Sequence, residues 1–106
     1  MHFPNYRPRR LRSNKLIRDL VQETQLTVKD LIMPLFVRPG SGIKKEILTM
    51  PGNYQFSVDT LVEEVKELAS LGIPGVILFG IPSSKDELGT EAYADDGIIQ
   101  KAVRAI

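Results

Sequence analysis

The chain has no cysteine and no tryptophan, and its single histidine is His2. Without thiols there is no disulfide framework, no thiolate metal centre and no thiol nucleophile. One terminal histidine leaves no conventional His-based catalytic or metal site within these residues. Net charge is nearly absent too. Fourteen Lys and Arg stand against 13 Asp and Glu, for a net charge of +1, so a polyanionic partner finds no global attraction. Nor is there a long apolar run. Residues 31–37 and 71–79 are the longest, each broken by Pro or Gly, and they fall well short of the ~20 residues that span a bilayer. The opening Met1-His2-Phe3-Pro4-Asn5-Tyr6 lacks the apolar core of a secretory signal, and Pro4 and Pro8 oppose an amphipathic transit helix. The expected location is cytoplasmic, with no membrane partner.

What the chain does have is the composition of a soluble globular protein, 42% hydrophobic and 25% charged over 106 residues. Two regions are expected: a basic arm over residues 1–30 and an α/β body over 31–106. Residues 7–18 carry Arg7, Arg9, Arg10, Arg12, Lys15 and Arg18 with no acid before Asp19. Ser13 or Asn14 is placed to cap a short helix whose Leu16, Ile17, Leu20 and Val21 share a face, and Thr27 to cap a turn through Asp30. The arm has too little apolar surface to stand alone.

Leu31-Ile32-Met33-Pro34-Leu35-Phe36-Val37 suits a strand buried on both faces, with the regular part expected mainly after Pro34, which donates no ladder hydrogen bond. A polar excursion with Pro39-Gly40-Ser41-Gly42 and Pro51-Gly52-Asn53 reads as a small hairpin. Ser57 is expected to cap a helix in which Val58, Leu61, Val62, Val65, Leu68 and Ala69 recur at helical spacing. Gly72 fits the left-handed position that ends it, and Pro74 follows. Gly75-Val76-Ile77-Leu78-Phe79 is a second apolar strand ending at Gly80. After a polar loop over 81–95, Asp95 or Asp96 is expected to cap a final helix with Ile98, Ile99, Ala102, Val103 and Ile106 on one face.

The alternation strand, helix, strand, helix predicts parallel strands with helices outside. Two strands alone form no independent sheet of useful stability, and the last helix runs to Ile106 without a C-cap. The chain is therefore expected to be an incomplete piece of a larger α/β fold.

Seven segments occur in an order that carries a resemblance: Arg7-Pro8-Arg9-Arg10-Leu11-Arg12, Asp30-Leu31-Ile32-Met33-Pro34-Leu35-Phe36-Val37, Met50-Pro51-Gly52, Leu71-Gly72-Ile73-Pro74 running into Leu78-Phe79-Gly80, Lys85-Asp86, Gly89-Thr90-Glu91-Ala92, and Asp96-Gly97-Ile98-Ile99-Gln100. Together the sequence resembles the first third of the porphobilinogen synthases (5-aminolevulinate dehydratases). The resemblance implies an N-terminal arm plus the first βα units of a (β/α)8 TIM barrel, in a homo-oligomer, usually an octamer, whose arms embrace neighbouring subunits. It implies the condensation of two 5-aminolevulinate molecules to porphobilinogen in tetrapyrrole synthesis, through lysine Schiff bases on later strands and with zinc or magnesium held by later segments. No catalytic residue and no metal ligand is expected within this chain, and the chain alone is expected to be inactive.

Among its lysines, Lys85 alone follows a strand on the expected active face, and a solvated or structural role fits it better than Schiff-base chemistry. Asp86, Glu87, Glu91, Asp95 and Asp96 gather carboxylates on that face, which do acid–base or metal work only if they converge. Phe79 ends the second strand, where it is either ordinary barrel core or, as the resemblance implies, a substrate-binding wall. Arg7, Arg9, Arg10 and Arg12 are read as a subunit interface, since guanidinium groups suit inter-subunit ion pairs. The alternative is a small basic-armed α/β module that binds nucleic acid or a protein partner, but no aromatic residue beyond Tyr6 interleaves the cluster to stack on bases.

Overall fold

A computed structural model describes residues 9–106; Arg7 lies outside that range. The arm contains a short 3-10 turn, Arg10–Arg12, then helix α1, Lys15–Leu20. Of the two expected caps it is Asn14 that acts, its side-chain oxygen accepting from the Ile17 N–H at 3.0 Å. Leu16 and Leu20 of α1 are exposed. A second 3-10 turn, Val28–Asp30, follows Thr27, whose N–H donates to the Asp30 carboxylate at 2.9 Å.

The body is a four-stranded sheet in the order β2-β3-β1-β4, where β1 is Ile32–Val37, β2 Lys44–Glu46, β3 Tyr54–Phe56 and β4 Gly75–Gly80. Strands β1 and β4 are parallel and register residue for residue from Ile32 with Gly75 to Val37 with Gly80. The hairpin expected between them does form, but the expectation of a two-stranded sheet is corrected because that hairpin joins the sheet. It folds back as β2 and β3, and β3 adds to the other side of β1, pairing Phe36 with Gln55 and Val37 with Phe56.

The expectation that regular structure starts after Pro34 is also corrected. The Arg38 N–H donates to Phe56 on the β3 side, and the Val37 carbonyl accepts from Ile81 on the β4 side. Alternating backward along β1, Pro34 turns its nitrogen toward β3, where the ladder has not yet begun. The missing N–H has no partner to disappoint, so Pro34 sits inside the strand without loss.

Helix α2, Val58–Ser70, begins after Ser57 as expected, but the fully buried Ser57 hydroxyl does not cap it. It accepts the Ile43 N–H at 2.9 Å and donates to Asp59. Asp59 in turn accepts the Gly42 N–H at 2.9 Å, and the Thr60 hydroxyl donates to the Ile43 carbonyl at 2.5 Å. The first turn of α2 thus clasps the segment leading into β2. The helix ends as read from sequence. Gly72 has φ +87°, its N–H bonds Ala69 and the Ile73 N–H bonds Leu68, the paired closure that a left-handed residue permits.

The core lies between the sheet and α2 with α4, Ile98–Ala105. Leu35, Val37, Phe56, Leu61, Leu68 and Ala102 form its buried centre. The helix cap expected at Asp95 or Asp96 is instead Gly97. A Cβ there would stand 2.4 Å from the Glu91 carbonyl oxygen, so only glycine admits this approach of chain to chain. The loop expected over 81–95 contains a one-turn helix, α3, Thr90–Tyr93.

Candidate substrate-facing surface

Because side chains alternate across a strand, the two faces of the β1–β4 pair differ. Leu35 and Val37, with Val76 and Leu78, turn toward the helices and join the core. Ile32, Pro34, Phe36, Ile77 and Phe79 share the opposite face, which no helix of the described residues covers; Phe79 is 46% exposed and Ile32 65%. In parallel βα architecture reactive chemistry gathers at the C-terminal ends of strands. At that end of the open face, Phe36 and Phe79 pair across the register and stack, with centroids 5.5 Å apart and planes 30° off parallel.

Phe79 stands near the end of its strand, on the face away from the helices. Phe36 was not singled out in the sequence, since it reads as one apolar position within a continuous run. A signal was available: each Phe is the penultimate residue of its strand.

The carboxylates on the loops above do not converge. Glu91 accepts the Ser83 N–H at 3.1 Å, the Ser83 hydroxyl at 2.6 Å and the Ser84 hydroxyl at 3.2 Å. The Ser83 hydroxyl above all holds it below the usual carboxylate range. Asp86 accepts from the Thr90 N–H at 2.9 Å and from the Thr90 hydroxyl, which lowers it likewise. Both are ionised at neutral pH and engaged in shaping the loop, so neither is a proton donor in waiting. Among the described residues no three His, Cys, Asp or Glu side chains assemble as a metal site, and these occupied carboxylates do not fit one. Lys85 is exposed on the same loop.

A cleft of about 390 Å³ opens beside this loop, lined by Pro39, Gly40, Val58, Ser83, Glu91 and Lys101 among others. It borders the helix starts rather than the open face, so it is separate from the aromatic pair. On the arm, Arg9, Arg10 and Arg12 are exposed. The Arg12 carbonyl accepts from the Arg18 guanidinium at 3.2 Å, tying α1 to the preceding turn. No described helix is long and apolar enough to cross a membrane.

The family model for delta-aminolevulinic acid dehydratase matches residues 5–106. A dehydratase of that name from Synechococcus elongatus is 56% identical over 104 residues, covering 98% of this chain and 32% of the relative. One from Methanothermus sociabilis is 48% identical over 106 residues, covering all of this chain and 33% of the relative. Among solved structures, the porphobilinogen synthase of Toxoplasma gondii in complex with its product porphobilinogen superposes with a TM-score of 0.80 at 37% identity, over 94% of this chain and 29% of that one. The chain thus spans about a third of the length of the curated relatives it matches, and its βα units are those of an incomplete TIM barrel. On sequence and on fold alike, the chain belongs to the delta-aminolevulinic acid dehydratase family.

Proposed function

We propose that the protein to which these residues belong is a lyase that condenses two molecules of 5-aminolevulinate into porphobilinogen with loss of water, in tetrapyrrole synthesis. Within the family match, the observation that supports this best is the stacked Phe36–Phe79 pair at the strand ends of the open face. Two rings there give the carbon chain of the substrate an apolar wall and keep bulk water from the ketone where an imine forms. The lysines that form imines, and the residues that hold zinc or magnesium, belong to later strands and segments of the barrel. This chain supplies wall and scaffold.

The arm has the second role in this reading. Exposed Leu16 and Leu20 beside Arg9, Arg10 and Arg12 suit a surface on which apolar contact and guanidinium ion pairs join subunits of a homo-oligomer, an octamer by family likeness. The enzyme is placed in the cytoplasm.

Two measurements test the proposal. The 106-residue chain incubated with 5-aminolevulinate yields no porphobilinogen, whereas the full-length protein does; product from the chain alone would overturn the division of labour. Phe79→Ala in the full-length protein raises KM by about tenfold, the worth of roughly half a buried aromatic side chain. An unchanged KM would return Phe79 to plain core packing.

A further inference from the structure

The strand that carries Phe79 leaves the sheet through one last ladder bond, in which the Ile81 N–H donates to the Val37 carbonyl at 2.8 Å. Pro82 follows with no N–H to donate. The next bonds of the chain all run to one side chain. Glu91 accepts the Ser83 N–H and both the Ser83 and Ser84 hydroxyls. The ion pairs among the described residues are Lys15–Asp19 and Lys66–Glu63, neither of which involves Glu91. Its carboxylate is devoted to the segment leaving β4.

Glu91 is itself anchored. Its carbonyl oxygen lies against Gly97, the Ala92 carbonyl accepts from Gln100 Nε2 at 2.8 Å, and the Asp95 carbonyl accepts from Arg104 Nη2 at 2.6 Å. Those contacts fix α3 and the turn after it to α4. Helix α4 then returns to the strand. Ile98 and Ile99 pack on Gly80 so closely that a Cβ there would lie 2.8 Å from Ile99 and 3.0 Å from Ile98. Gly80, Pro82, Glu91 and the start of α4 therefore close a ring around a small cavity of about 130 Å³ on the helix side of the sheet. In that ring the Glu91 carboxylate joins strand exit to helices. A charged acceptor that takes three bonds from two consecutive residues leaves the exit little freedom. Phe79 is the residue before Gly80, with its ring on the other face.

We propose that Glu91 is a positioning residue for the substrate wall: by holding Ser83 and Ser84 against α3 and α4 it fixes the end of β4, and with it the Phe79 ring against Phe36. The inference rests on the dehydratase reading and adds to it a residue that acts from the helix side without touching the substrate. Without the clamp the wall keeps its rings but not their fixed angle. Binding weakens, while the imine chemistry on later strands is left alone.

The test is a double-mutant cycle in the full-length protein, read as KM and kcat for 5-aminolevulinate. Glu91→Ala raises KM by about 3- to 10-fold and leaves kcat within about twofold; a displaced wall can lose no more than the roughly tenfold of an absent one. In a Phe79→Ala background the same change raises KM by less than about twofold, because the ring it positions is gone. Factors that multiply in the double variant, or a KM unmoved by Glu91→Ala, overturn the role. So does a fall in kcat at unchanged KM, the mark of protein lost to unfolding. Glu91→Gln keeps an oxygen acceptor for Ser83 and Ser84, so its KM lies nearer the wild type than that of Glu91→Ala; a Gln variant as impaired as the Ala variant also overturns the role. If Glu91→Ala does not fold, Ser83→Ala with Ser84→Ala removes the hydroxyl donors, leaves the carboxylate in place and carries the same cycle. A Phe79→Ala enzyme with the wild-type KM removes the wall and this role with it, whereas multiplying factors leave the wall standing and remove Glu91 alone.

Discussion

Replacing Ser57 by alanine isolates the clasp between α2 and the segment entering β2. The Ser57 side chain is fully buried and its hydroxyl is the acceptor for the Ile43 N–H at 2.9 Å. The substitution removes that acceptor where water has little access, and an unpaired donor of this kind costs about 1–3 kcal/mol. The Ser57 N–H to Ile43 carbonyl bond, 3.0 Å, survives, so the loss is local rather than global. Expressed as local opening, Ile43 amide exchange accelerates by about 5- to 150-fold, while amides in the middle of α2 keep their wild-type rates.

A pH series extends the test through Asp59. Its carboxyl lies below the ordinary value of 3.8, first because Ser57 donates to it and next because the Gly42 N–H does. A lowered folded-state value means the Gly42 contact contributes fully above the ordinary carboxylate value and fades as pH drops through the lowered one. Without the Ser57 hydroxyl that midpoint moves up, so Gly42 loses protection at a higher pH in the variant than in the wild type. Hydrogen exchange read by NMR or mass spectrometry follows both amides. Ile43 exchange within twofold of wild type, with an unshifted acid midpoint at Gly42, would refute the clasp.

Two further outcomes are expected. Leu61→Ala empties a position with no solvent exposure at the centre of the core and costs about 2–5 kcal/mol in urea denaturation, whereas Leu61→Met costs less than about 1.5 kcal/mol; equal costs would mean the site is loosely packed. Replacing Arg9, Arg10 and Arg12 together by alanine in the full-length protein yields a smaller species by light scattering at the same monomer fold, and an unchanged mass would remove the arm from the interface.

Much of the body was legible because its signals are local and long. Helix α2 repeats its apolar residues over thirteen positions between Ser57 and Gly72, and β4 is apolar from end to end between glycines. The place of Phe79 near the end of β4 was legible from the apolar run that stops at Gly80. Elements of three residues hold too few side chains to show a period, so the hairpin was legible from its turns but the joining of β3 to β1 was not. Lys44, Lys45 and Glu46 are all exposed and charged, the dress of an edge strand rather than of a core. The cap of α4 was misplaced because Asp95 and Asp96 are good capping residues by local chemistry. The approach of Gly97 to the Glu91 carbonyl is a tertiary fact no window of sequence contains. Ser57 shows the same limit: its position was right, but the Ile43 amide its hydroxyl accepts from is fourteen residues away. Phe36 drew attention only once register set it beside Phe79.

The pairing of β3 with only the last two residues of β1 has a consequence for the edge it leaves open. Below Phe36, the seam side of β1 presents the Ile32 and Pro34 carbonyls but one amide only, that of Ile32. A strand arriving there must bring more donors than it receives, and above Phe36 it finds the hairpin already installed. The part of that edge left open is the N-terminal half of β1, while its C-terminal end is occupied by an insert whose own outer margin is lysine and glutamate.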